Sequence, residues 1–346
     1  MQQLRDTWQR AFADGREEKL LGSGPERLLA AVSQLSLLDS FRYSCFVEGP
    51  LSGAPDYDAL VIHSPALLMP GRRVADPSQR LAQQVLDWAA GMGERCPYIH
   101  FELDAGSKTP GIHCKIEGQL STAQLFFEAV GEPWRMKAFE EAVSRLPEGW
   151  YCRYTGVFPG RKTGSTRMEV EPYTADARRS LEDPAYVKQL FDRIGFTAYH
   201  DTMLHDAARL MAVETPVSIQ FDILPDGAFL PVCSVLSMYE NVRPDCAPLF
   251  LPDGAVTRIS KIYEEMGVSD GRWRMLEPSL FTERAAWRVQ GRIEGWVHRC
   301  LPCCTKAKWI EGRRAPAKFY LLLEAIRVLE DLTQYRKENH EQPHEP

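Results

Sequence analysis

The residues best equipped for chemistry sit in short runs where polar and apolar side chains alternate. In Tyr98 to Asp104 the set Tyr98, His100, Glu102 and Asp104 opposes Ile99, Phe101 and Leu103. In Pro216 to Ile223, Ser218, Gln220 and Asp222 oppose Val217, Ile219, Phe221 and Ile223. Arg167, Glu169 and Glu171 oppose Met168 and Val170, and Lys318 and Tyr320 oppose Phe319, Leu321 and Leu323. Side chains two apart share one face of a strand, so each run gathers its charges on one side. Lys115, Arg153, Lys306 and Lys308 have the matching parity in their own runs. On an open sheet such a face is simply solvated; inside a closed barrel it is costly and lines a lumen that holds a ligand.

Other constellations carry less. His298-Arg299-Cys300-Leu301-Pro302-Cys303-Cys304 is the densest group of metal-type ligands. A structural zinc site needs four ligands, usually two pairs across a longer spacer, and no second CxxC or HxxxH pair occurs. Metal-dependent chemistry is one reading of that cluster; buried free thiols at a helix-to-strand junction are the other. Arg161-Lys162-Thr163-Gly164-Ser165 is a basic turn able to reach a phosphate, without P-loop spacing, and Arg161 reads as a lid residue over a barrel mouth. Tyr199-His200-Asp201 and His205-Asp206 fall on a helix or its start, as surface pairs. No nucleophile elbow, Rossmann fingerprint, HExxH or DDxxD motif is present.

The elements that must position these residues repeat five times as helix followed by two short strands. A helix over Glu26 to Leu38 precedes Arg42 to Glu48 and Tyr57 to His63. One over Pro77 to Met92 precedes Tyr98 to Asp104 and Ile112 to Glu117. A helical stretch from Ser121 to Leu146, interrupted near Pro133, precedes Trp150 to Phe158 and Thr166 to Glu171. Helices at Pro184 to Ile194 and Thr202 to Met211 precede Pro216 to Ile223 and Phe229 to Ser237, joined by the hairpin signature Leu224-Pro225-Asp226-Gly227. Helices at Val256 to Met266 and Glu283 to His298 precede Thr305 to Glu311 and Ala317 to Leu323, and a final helix runs to Leu332. The stretch after Pro316 also reads as one helix; the repeat favours a strand that runs into a helix. We therefore expect a single domain over 1–332 and a disordered polar tail over 333–346.

Composition agrees with a globular chain: 346 residues, 44% hydrophobic and 25% charged. A net charge of -6 argues against non-specific nucleic-acid binding. No run approaches the ~20 apolar residues of a membrane span. Nine scattered cysteines read as reduced thiols of a cytoplasmic protein, with no nucleic-acid or membrane partner.

Five helix-strand-strand-helix units resemble the ABBA prenyltransferases, and local stretches sharpen the likeness. Ser44-Cys45-Phe46-Val47-Glu48 is similar to the first barrel strand of the cyanobactin-type peptide prenyltransferases. Gly164-Ser165-Thr166-Arg167-Met168-Glu169-Val170, with Pro172-Tyr173, resembles their central phosphate-binding strand, and Tyr186 to Phe196 the helix after it. Lys318-Phe319-Tyr320-Leu321 is like the terminal strand of the family. The resemblance implies an α+β fold, a ten-stranded antiparallel barrel with a polar lumen inside a ring of helices. It implies transfer of a dimethylallyl or geranyl group from its diphosphate to an aromatic or other nucleophilic acceptor, a peptide or small metabolite.

That chemistry wants cations on the diphosphate, aromatic walls around the allylic cation and a proton acceptor. On the resemblance, Arg167, Lys306, Lys308, Lys318 and Tyr320, joined by Lys115 and Arg153, bind the diphosphate, and Glu48, with Glu102 and Asp222 behind it, is the base. No tightly bound cofactor is implied. The chain departs from the family at Glu169 and Glu171, which repel a diphosphate unless Mg²⁺ bridges them. It departs again at Phe41-Arg42-Tyr43, where a catalytic carboxylate is expected, and at Asp58, where a phosphate-binding basic residue is expected. These departures leave a catalytically inactive barrel that binds a peptide or metabolite as an alternative.

Overall fold

Helices bury the apolar parity of the alternating runs, and the sheet curls until its two edges meet. The structure, a computed structural model, describes residues 1–22, 24–38, 40–104, 107–213, 216–238, 255–276, 281–289 and 292–328. The expected polar tail lies outside the described residues.

Three helices, α1 (Gln2–Ala11), α2 (Glu17–Leu21) and α3 (Glu26–Leu35), lead into β1 (Arg42–Pro50) and β2 (Asp58–His63). Next come α4 (Arg80–Gly91), β3 (Ile99–Leu103) and β4 (Gly111–Lys115). The third unit is α5 (Leu120–Ala129), α6 (Arg135–Ser144), β5 (Trp150–Val157) and β6 (Thr166–Pro172), with the helical break at Pro133 as expected. The fourth is α7 (Ala175–Ser180), α8 (Pro184–Ile194), α9 (Asp201–Met211), β7 (Val217–Ile223) and β8 (Phe229–Met238). The last holds α10 (Ala255–Glu265), β9 (Phe281–Val289), β10 (Arg292–Ile310) and β11 (Arg313–Val328). Local signals set several boundaries. Asp183 caps α8 by accepting from the Ala185 N–H, Pro184 opens it, and Gly195 closes it at φ 90°.

The strand order is β11-β1-β2-β3-β4-β5-β6-β7-β8-β10, all antiparallel, and β10 also pairs with β11. Those ten strands form a closed ring. β9 is added outside it, pairing Phe281–Val289 with Cys300–Arg292, while the later half of β10 pairs with β8. This is the ten-stranded barrel with outer helices that the sequence led us to expect.

Two expected helices are strands. Residues 283–289 lie in β9 and 292–298 open β10, and β11 runs on to Val328 in place of the final helix; residues 290–291 and the rest of that last helix, to Leu332, lie outside the described residues. Ladder bonds from Gly295↔Val328 to Ile310↔Arg313 join β10 to β11, and this long-range pairing overrides a local helical preference.

Outside the ring, α3 lies on β2, α4 on β3, α6 on β6 and β7, α9 on β8, and α1 on β10 and β11. On β7 and β8, Phe221 and Phe229 pack with Phe191 and Phe196 at centroid separations of 5.2–6.2 Å. Among the described residues no helix is long and apolar enough to cross a membrane.

His63 is buried between β2 and α3, 2.9 Å from the Leu35 carbonyl and edge-on to Phe101. Burial pulls its pKa down to about 4, only partly offset by that carbonyl. Below about pH 6.5 the unfolded chain protonates this histidine and the folded chain does not, so stability falls with pH until the folded value is reached. The expected loss at this site between pH 7 and 4 is about 3 kcal/mol. Urea unfolding across that range should show the pH slope reduced in His63→Gln. Phe221→Ala should cost about 3–5 kcal/mol at neutral pH in the same assay.

Candidate active site

The polar parity of β3 to β7 faces inward, β2 and β8 turn Leu60, Ile62, Leu236 and Met238 there, and a cavity of about 620 Å³ runs along the lumen. Its rim lies at the strand ends that lead to helices, where Arg42, Tyr98, Lys115, Tyr151, Arg153 and Glu171 are half-buried. Deeper lie Glu102, Arg167, Glu169, Lys306 and Tyr320, all buried. One wall is apolar: Phe46, Leu60, Leu236 and Leu322 cluster with Tyr320, Cys303 and Cys304. The polar residues of β3 to β7 make the opposite wall, where Tyr154 lies 5.2 Å from His100.

Most lumen charges are compensated by a neighbour. The Arg167 guanidinium donates to both oxygens of Asp222, at 2.8 and 3.1 Å. Arg153 pairs with Glu171, and Lys318 with Glu48 and, at 3.9 Å, with Asp58. Lys115 pairs with Glu117 at 2.5 Å, and His113 lies 2.9 Å from Glu102. Arg161 does not stand free as a lid. It folds over the Phe158 ring at 3.8 Å and donates to Glu102 at 2.8 Å and to Asp104 at 2.8–3.0 Å, tying the β5–β6 turn to β3 at the hairpin end. Arg42, found where a carboxylate was expected, pairs with buried Glu324.

Two lysines are different. Among the described residues neither Lys306 nor Lys308 has a carboxylate partner within ion-pair distance, and the Lys306 ammonium donates to the Tyr320 hydroxyl at 3.3 Å. Burial lowers the Lys306 pKa, with Arg167 and Lys318 adding to it and Glu48 opposing. Lys308, half-buried, is lowered by burial and by Lys306. Burial alone would raise the Glu48 carboxyl, but Lys306 and Lys318 outweigh it and hold Glu48 below the ordinary carboxylate value. Glu102 is held well below it, His113, Arg167 and Arg161 outweighing burial. Asp222 is held down by Arg167 against burial. Tyr320 is raised, by burial and by the Glu48 charge.

Of the residues singled out in the sequence, Glu102, Lys115, Arg153, Arg167, Glu169, Glu171, Lys306 and Tyr320 line the cavity. Glu48, Asp222, Lys308 and Lys318 are not in its lining and belong to the charged layer toward the hairpins. Glu169 accepts from Ser218 at 2.9 Å and from Gln220 at 2.6 Å, and Glu171 accepts from Tyr151 at 3.0 Å and from Arg153. Each oxygen of these two carboxylates accepts one bond from a protein side chain. The 298–304 cluster is divided between faces: His298 meets Thr7 of α1 at 2.8 Å, Cys300 joins the outer core, and Cys303 and Cys304 face the lumen. Among the described residues no group of three or more His, Cys, Asp or Glu side chains could hold a metal ion.

Sequence reasoning missed several lining residues. Tyr154 lines the cavity beside Arg153 because a bulge between Cys152 and Tyr154 shifts the register of β5. His113 shares the parity of Lys115 and could have been found by it.

No protein-family model matches the chain, and no curated protein matches it. Solved structures do resemble it in outline. The 5-dimethylallyltryptophan synthase of Streptomyces coelicolor, in complex with DMASPP and Trp, is 14% identical, with 93% of this chain and 92% of that one covered and a TM-score of 0.47. PriB, in a binary complex with product diphosphate, is 11% identical over 92% and 95% of the two chains at a TM-score of 0.48. AnaPT from Neosartorya fischeri is 11% identical over 91% and 85% at 0.44. At these values the likenesses assign no residue role.

The buried and rim ion pairs should respond differently to neutralisation. Asp222→Asn strands the Arg167 charge and is expected to cost about 3–5 kcal/mol. Glu171→Gln, in a pair that is somewhat more exposed, should cost less, about 1–3 kcal/mol. Urea midpoints of the two variants make the comparison.

Proposed function

We propose that this barrel is a prenyltransferase that binds an allylic diphosphate in its lumen and transfers the prenyl group to an aromatic or other nucleophilic acceptor. The observation that carries the reading is Lys306: a buried cation at the cavity, bonded to Tyr320 and lacking a carboxylate partner among the described residues. A buried charge is costly unless it is paired, and an entering anion supplies the pair. Lys306 and Tyr320 donate to the diphosphate, and Arg167 and Lys308 add positive potential behind them. The prenyl chain lies along Phe46, Leu60 and Leu236, out of water. A dimethylallyl or geranyl donor suits that wall, and the peptide or small-molecule acceptor enters past Tyr98 and Tyr151. Glu48, kept ionised by Lys306 and Lys318, is the base that receives the acceptor's proton by way of Tyr320.

A second reading is favoured by the pairing of Arg153, Arg161 and Arg167 with carboxylates, which leaves fewer cations for a diphosphate. It is a barrel that binds a metabolite or peptide without turning it over.

Thermal unfolding with dimethylallyl and geranyl diphosphate separates the two. A ligand at a hundredfold excess over its Kd stabilises the native state by about 2.7 kcal/mol. The wild type should show this gain and Lys306→Met should lose it. Glu48→Gln should keep the gain but slow product formation by about 10²–10⁴-fold, read by chromatography. No gain with either diphosphate, alone or with an aromatic acceptor, moves the assignment to the binding barrel.

A further inference from the structure

The irregularity in β10 puts two thiols on one face. Pro302 pairs with Leu321 and Cys304 with Tyr320, so Cys303 is the extra residue between them. In a regular strand, neighbours point to opposite faces; here the bulge turns both Cys303 and Cys304 to the lumen, and both line the cavity. They are 5% and 4% exposed, and both are free thiols. Phe46, Leu236 and Leu322 surround them, and burial pushes the Cys304 thiol well above its ordinary value, which Lys306, two residues along, only partly opposes.

Chain neighbours are poorly placed for a disulfide. Consecutive Cα atoms lie about 3.8 Å apart, short of the roughly 4.4–6.8 Å that a relaxed disulfide spans. Two thiols held together and kept reduced are instead a bidentate soft ligand. No third His, Cys, Asp or Glu among the described residues joins them to hold a metal ion, so an ion needing three or four protein ligands is not matched. A centre that brings its own substituent and needs two sulfurs is matched. The apolar wall favours an uncharged aryl or alkyl compound.

We propose that Cys303 and Cys304 form a vicinal dithiol site on the cavity wall that captures thiophilic organoarsenic(III) compounds. Each S–H gives up its proton, two As–S bonds form, and the oxygen of the arsenous group leaves as water carrying both protons. No electrons are exchanged. The adduct stands beside Tyr320 and Lys306, so capture closes the ligand cavity. The site is independent of the diphosphate reading, because capture needs neither a prenyl donor nor Lys306.

Phenylarsine oxide is the probe, one equivalent with the reduced full-length protein, read by intact-mass spectrometry. The expected product is one adduct per chain, equal to one phenylarsenic group less two hydrogens. It should survive excess 2-mercaptoethanol and be removed by 2,3-dimercaptopropanol. In the wild type, denaturation with N-ethylmaleimide and peptide mapping should then find Cys303 and Cys304 protected and half-buried Cys96 labelled. Cys303→Ser and Cys304→Ser should each lose the monothiol-resistant adduct. Protection mapped to other cysteines, or an adduct that 2-mercaptoethanol strips from the wild type, overturns the proposal. The mapping needs no variant, so it stands even where a serine substitution fails to fold.

Discussion

The rest of the structure depends on β11 pairing on both of its edges. Residues 318–326 hydrogen-bond to Arg42–Pro50 of β1 on one side, and most of the strand pairs with β10 on the other. Without the β10–β11 pairing the sheet would be open, and the polar parity of its strands would face water as in many antiparallel sheets. With it, the same side chains are enclosed, and each enclosed charge needs a counter-charge or a ligand. The ion pairs of the lumen follow from that closure.

Pairing also organises the cavity. Carboxylates and guanidinium groups meet on the β3–β7 side and at the hairpin end, where Arg161, Phe158, Glu102 and Asp104 shut the barrel. The β1, β2, β8 and β11 side is apolar. Lys306 lies where the two regions join, with Tyr320 as its hydrogen-bond partner. A space that is apolar along one wall and cationic at one point suits a ligand with an apolar body and an anionic end. Elsewhere the lumen cations Arg153, Arg167 and Lys318 are paired with carboxylates.

Much of this was legible before the structure. Alternation in Tyr98 to Asp104 and in Arg167 to Glu171 marked the inward faces correctly, because a strand's period of two does not depend on its partners. The break near Pro133 and the ends of α8 were equally plain, being written in proline, an aspartate cap and a glycine. The segment 283–298 was misread as a helix because its residues satisfy a helical pattern locally, while the strands that claim it lie far along the chain. Bulges were invisible for the same reason. The register shift in β5 brings Tyr154 to the cavity, and that in β10 brings Cys303 beside Cys304.

The sequence by itself determined the repeating order of helices and hairpins, the inward parity of the charged residues, and the class of side chain available to the lumen. Those are local properties, set by spacing and turn chemistry. Only the tertiary structure decided that the sheet closes and that Arg167 is neutralised by Asp222, with Lys318 bound to Glu48. It also decided that Lys306 lies buried without a carboxylate partner among the described residues. Pairing of that kind joins residues as far apart as Glu48 and Lys318, and which charges meet depends on the register of strands that no local pattern encodes.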